Sequence, residues 1–154
     1  MKNERAKEIF FKFNGQQYHM AHDGFRDEYR KYCISEIIEE KWIEELIKLR
    51  LSEYKKTSDM IYLIPIVEYY NKFELLDKLL SIKIKGTYIN KFVIIEMLSK
   101  LIHKNRRKIE NYKNIKIIYI NIVSNFSKES IPKKYEAYNV EERLRKIKSK
   151  FGMK

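Results

Sequence analysis

An all-α protein is the fold class this sequence predicts, and three observations carry it. Four glycines and two prolines in 154 residues are too few for a turn-dense β-sandwich. Apolar residues recur at spacings of three and four along most of the chain, the period of a helix face and not the alternation of a strand. Charged residues make up 35% of the whole, which suits helices with one apolar and one solvated side. The chain reads as a single domain, 1–154, and a domain of that length buries roughly 70% of its unfolded surface, enough for a core without staples.

The N-terminal stretch supports two readings. Ala6, Ile9, Phe10 and Phe13 are spaced for a helix with Asn14-Gly15 as its C-cap. Asn-Gly between two short apolar runs is also the strongest local hairpin signal. Across a two-residue loop Phe13 pairs with Gln16, Phe11 with Tyr18 and Ile9 with Met20, so one face becomes almost wholly apolar. That cross-strand test favours a short β-hairpin over residues 9–20. Asp23-Gly24 then marks a turn, and Phe25, Tyr29 and Tyr32 share a face of a short helix ending near Cys33.

A long helix from Ser35 to Tyr54 follows. Ser35 is a good N-cap; Glu36, Glu39, Glu40, Glu44 and Glu45 crowd its first half, and Lys48, Arg50, Lys55 and Lys56 come later, an order that complements the helix dipole. Ile38, Trp42, Leu46 and Leu49 make one stripe and Ile43, Ile47, Leu51 and Tyr54 a second, which predicts neighbours on two sides. Trp42, the only tryptophan, is the expected anchor of the core.

Thr57 or Ser58 is placed to cap the next helix, with Met60, Ile61, Ile64, Val67 and Tyr70 on its apolar side; Pro65 predicts a kink there or a later start. Phe73, Leu76, Leu79 and Leu80 form a helix that ends before Gly86. Thr87 opens another that buries Phe92, Ile95, Met97, Leu98 and Leu101. Residues 115–126 are rich in β-branched side chains, yet Ile115, Ile118, Tyr119, Ile122, Val123 and Phe126 fit one helical face. After Pro132, Asn139 and Glu142 have capping-box spacing for a last helix carrying Val140, Leu144, Ile147 and Phe151. The helix-turn-helix units over 58–85 and 87–126 have the lengths of α-solenoid repeats, so the array expected is a multihelical α/α or HEAT-like right-handed stack.

The opening Phe-x-Phe-Asn-Gly-x-x-Tyr-x-Met-x-x-Asp-Gly, Phe11 to Gly24, with Glu28-Tyr29 after it, resembles the start of small uncharacterised helical proteins of low-GC Gram-positive bacteria. The likeness covers the first third of the chain and implies no activity or functional residue. It agrees with a surplus of Lys (25 against 8 Arg), Ile (23) and Asn (10), the usage of an AT-rich genome.

Codon usage acts on the whole chain alike, but the charge does not. Residues 1–77 hold 13 Lys and Arg against 15 Asp and Glu, whereas residues 78–154 hold 20 against 6. His103, Lys104, Arg106, Arg107 and Lys108 form its densest cluster; Lys113, Lys116, Lys133, Lys134, Arg143, Arg145, Lys146, Lys148 and Lys150 extend it. Lys104, Arg106, Arg107, Lys108, Arg143, Arg145 and Lys148 are the candidate contacts. An acidic protein is the expected partner, met by a non-catalytic interaction module of adaptor, regulatory or immunity type. Nucleic acid is the alternative, since Tyr112, Tyr135 and Tyr138 lie among the cations and aromatic rings stack on bases. A merely solvated basic face is the third reading.

No catalytic or cofactor signature is expected. His19, His22 and Asp23 would bring two imidazoles and a carboxylate together on a helix, the start of a metal site for a hydrolase, but no third or fourth ligand is matched to them and solvated histidines explain them better. Cys33 is alone, which excludes a disulfide framework and fits a reducing cytoplasm; the sequence places it as a small buried hydrophobe beside Tyr32 and Ile34. There is no glycine-rich phosphate loop, no apolar run of about 20 residues for a membrane span, and no secretory leader pattern. The protein is expected in the cytoplasm, without a cofactor and without a membrane contact.

Overall fold

The structure, a computed structural model, describes the backbone of residues 2–57 and 60–154 and the side chains of 3–53 and 60–154. Among the described residues it is 71% helix with no strand. The chain falls into two compact units, Met1–Lys56 and Thr57–Lys154.

The first unit holds α1 (Lys2–Lys12), α2 (Gln17–His22), α3 (Arg26–Arg30) and α4 (Glu36–Thr57). The hairpin expected over residues 9–20 is replaced by α1, a tight turn and α2. Asn14-Gly15 closes α1 in a Schellman motif: Gly15 N–H donates to Phe10 C=O at 2.7 Å and Asn14 N–H to Phe11 C=O at 3.2 Å, with both residues at positive φ. A type I′ hairpin turn needs the same left-handed backbone, so the dipeptide could not separate the two folds. Packing does: the helical face Ala6, Ile9, Phe10 and Phe13 is buried, whereas Tyr18, needed on the hairpin's apolar side, is 73% exposed. Gly24, at φ +79°, ends α2 in the same motif.

On α4 the buried residues Trp42, Ile43, Leu46, Ile47 and Leu51 form one band, and Leu49, at its margin, is 43% exposed. Trp42 is buried as expected, its ring 5.6 Å from that of Phe10. The Tyr54 side chain and Ser58 lie outside the described residues; Thr57 ends α4, and the next helix starts only at Leu63, after Tyr62 and with no side-chain cap, so neither Thr57 nor Ser58 is its N-cap.

The second unit contains α5 (Leu63–Tyr69), α6 (Leu76–Leu80, entered through a 3-10 turn at Phe73–Leu75), α7 (Tyr88–Lys104), α8 (Tyr112–Phe126) and α9 (Val140–Lys150, preceded by a 3-10 turn at Lys133–Tyr138). Pro65 makes no kink. It sits in the first turn of a helix that starts at Leu63, where its missing N–H has no partner to lose. Thr87 caps α7, its Oγ1 accepting from Asn90 N–H at 3.3 Å. The capping box expected at Asn139 is absent: Asn139 is left-handed, at φ +49°, and its side chain makes no cap bond.

These helices make two layers. In one, α5, α7 and α9 run parallel, since Glu68 in the last turn of α5 meets Lys104 at the end of α7, Glu96 meets Arg143, and the His103 and Phe151 rings lie 6.1 Å apart. In the other, α6 lies along α8, with Asn114 Nδ2 donating to Asp77 at 3.4 Å. Tyr119 joins the layers: its buried hydroxyl donates to Ile95 C=O at 2.7 Å and its ring lies 4.7 Å from Phe151. Burial pushes the Tyr119 phenol up, so it stays a neutral donor.

Candidate interaction surface

The densest basic cluster lies in the turn between α7 and α8, and the packing on either side decides its orientation. Asn105, only 6% exposed, ends α7; its Nδ2 donates to Leu101 C=O at 2.9 Å, and its own C=O accepts from Lys108 N–H (2.8 Å) and Ile109 N–H (3.2 Å). Ile109 is buried and pins the far side of the turn. Arg106, Arg107 and Lys108 lie between these anchors and are all exposed. Side chains held at both flanks and pointed at water form a projecting cationic turn. The sequence pattern missed Asn105 and Ile109, although an Asn after the last periodic residue is a helix-stop signal.

The seven candidate contacts do not share one role. Lys104 Nζ is 2.8 Å from Glu68 Oε1 while remaining largely exposed. Arg106 Nη1 donates to His103 C=O at 2.9 Å, satisfying one of the carbonyls that a helix end leaves open. Arg107 and Lys108 have no ion-pair partner among the described residues. Arg143 belongs to the fold: its guanidinium grips Glu96 through Nε at 3.0 Å and Nη2 at 2.5 Å, and lies over the Phe92 ring at 4.8 Å. The Arg143 hydrogen bond holds the Glu96 carboxyl below its usual range despite partial burial. Arg145 lines a separate cleft with Glu136, Glu141 and Glu142, and Lys148 is half-buried.

Of the interleaved tyrosines, Tyr135 is stacked on Tyr88 at 6.1 Å between centroids, Tyr112 is half-buried, and Tyr138 is 52% exposed. His19 and His22 are exposed on α2, and His22 Nδ1 is 2.8 Å from Asp23 Oδ1. No group of three or more His, Cys, Asp or Glu placed to hold a metal occurs among the described residues.

Cys33 departs from expectation in being exposed. It takes a left-handed backbone, φ +48°, just after α3, and that turn directs Sγ outward, 3.6 Å from Arg30 C=O. It lines a shallow cleft with Gln17, Tyr29, Arg30, Ile34 and Glu39, none of which is a histidine that could take its proton.

No protein-family model matches the chain, and comparison with curated proteins and with solved structures returns no match. No helix among the described residues is long and apolar enough to cross a membrane.

Proposed function

We propose that the protein is a non-catalytic interaction module of the adaptor, regulatory or immunity type, whose second unit binds an acidic protein in the cytoplasm. The observation that carries this reading is the turn holding Arg106, Arg107 and Lys108 outward between buried Asn105 and Ile109. Charges presented this way accelerate encounter with an opposite surface and select against basic partners. The two alternating layers α5-α7-α9 and α6-α8 support a short HEAT-like stack as the scaffold, an architecture that offers long binding edges.

Capture from the native host with the full chain, with and without nuclease, tests the reading. One protein should be retained in both, and replacing Arg106, Arg107 and Lys108 by Glu should weaken its complex, chiefly through slower association at low salt. Nucleic-acid binding is the competing reading, favoured by exposed Tyr138 near Lys133 and Lys134. It requires affinity for random oligonucleotides well beyond the ~100 μM that non-specific contact gives at physiological salt, with a salt slope that the triple variant flattens.

A further inference from the structure

The second layer of the stack is incomplete. Helix α6 has five residues and α8 fifteen, about 7 Å against 22 Å at 1.5 Å per residue. The Asp77–Asn114 contact sets their first turns side by side, so α6 stops near the middle of α8. Past Leu80 the chain continues without helix to Thr87, and a cleft of about 520 Å³ opens against the second half of α8. Leu80, Ile95 and Phe126, all buried, form its floor, and Ile84 and Ile122, half-buried, its apolar walls. The size falls in the range of ligand-holding clefts, roughly 300 to 1,000 Å³. Its polar groups, however, do not converge inward: Ser81 Oγ donates to Lys78 C=O of its own turn at 2.8 Å. That lining suits apolar side chains better than a polar small molecule.

The rim is cationic. Glu129, the carboxylate that lines the cleft, has both oxygens held by Lys91 Nζ, at 2.6 and 2.7 Å. Lys83 on the rim and Lys85 beside it are exposed and have no ion-pair partner among the described residues. A helix laid where α6 stops would set its apolar side on the half-buried Ile84 and Ile122 and its flanks beside Lys83 and Lys85.

We propose that this cleft is a docking groove for an acidic amphipathic helix of two to three turns, one that completes the α6 layer. The inference rests on the reading of the second unit as a module for an acidic partner, and it gives that partner a second point of attachment, apart from the Arg106–Lys108 turn.

A displayed library of 16-residue amphipathic helical peptides, with apolar positions kept and flanking positions randomised, tests it against the full-length protein. Enriched sequences should carry Asp and Glu beside the apolar stripe. Ile84→Asp should weaken a selected peptide by about tenfold or more, the effect of a charge set in an apolar anchor site. The double variant Lys83→Glu/Lys85→Glu, which leaves the walls intact, should weaken it by about threefold at low salt and less at 0.5 M. Glu replacement of Arg106, Arg107 and Lys108 should leave peptide affinity within about twofold at physiological salt, because exposed charges beyond a Debye length are screened. No enrichment over Ile84→Asp, enrichment without acidic flanks, or a self-associated protein that Ile84→Asp makes monomeric would each overturn the groove. Host capture through the cationic turn can still succeed in those cases, so the two proposals fail separately.

Discussion

The two units handle charge in different ways. Met1–Lys56 carries 12 Lys and Arg against 11 Asp and Glu, and among its described residues four of the Lys and Arg meet carboxylates: Arg5 with Glu28 at 2.9 Å and Glu8 at 3.2 Å, Lys7 with Glu45, Arg26 with Asp27 at 3.9 Å and Arg50 with Glu53 at 2.7 Å. Thr57–Lys154 carries 21 against 10. Among its described residues Glu68, Glu96, Glu129 and Glu142 are paired, while Arg107, Lys108, Lys83 and Lys85 are exposed and stand outside any ion pair. A near-balanced unit gains little from its surface pairs and loses little from repulsion. A unit with eleven cations in excess bears self-repulsion that a bound polyanionic surface would relieve.

The largest expected effect tests the core of the balanced unit. Trp42→Ala should destabilise by about 3–5 kcal/mol, the usual consequence of emptying a large aromatic site, measured by circular dichroism in urea. A loss below about 1 kcal/mol would show that the ring carries little of the packing. In the wild-type chain Trp42 fluorescence reports the first unit alone, while circular dichroism reports both, so coincident urea transitions would mean that the units unfold together.

In the basic unit, Tyr119→Phe removes the hydroxyl bonded to Ile95 C=O and should lower stability by about 1 kcal/mol, because Ile95 C=O keeps its helix partner. The Glu96–Arg143 pair sharpens the comparison through pH. The folded state lowers the Glu96 pKa, so the pair's contribution is complete above the unfolded carboxyl value near 4.3 and is lost as pH falls through the folded value. Glu96→Gln should therefore lower stability by about 1 kcal/mol at pH 7, and the gap to wild type should close in acid unfolding below about pH 4. A gap that stays constant down to pH 3 would mean that the bond geometry, and not the charge, carries the effect.

The smallest effect belongs to the exposed turn. Glu at 106, 107 and 108 should change stability by no more than about 0.5 kcal/mol, read in the same urea titration. Raising NaCl from 0.05 to 0.5 M should stabilise the basic unit and leave the Trp42 transition nearly fixed, provided the units unfold separately. Equal shifts in both would remove the contrast.

Much of this fold is readable from periodicity alone. Residues 115–126 are helical despite their β-branched side chains because a six-residue apolar face outweighs a propensity difference of tenths of a kcal/mol per residue. Asn14-Gly15 is unreadable locally, since the φ values it supplies fit a helix end and a hairpin equally. Cys33 fails for a related reason: its composition suits a core, but its backbone conformation turns it outward. The excess of cations is plain in the composition. That Arg143 is held inside the fold while Arg107 is left outside depends on Glu96, which lies 47 residues away, and no local pattern encodes that pairing.

Helix α9 bears on growth. Its buried side, Val140, Leu144 and Ile147, packs inward, and Glu141, Glu142, Arg145, Lys146 and Ser149 face solvent, with Glu142 and Lys146 bridged at 3.0 Å. Any further helix laid on that side would have to dehydrate at least four charges with no apolar surface in return, at several kcal/mol per buried ion. That side of α9 is therefore closed to the lateral addition of a helix.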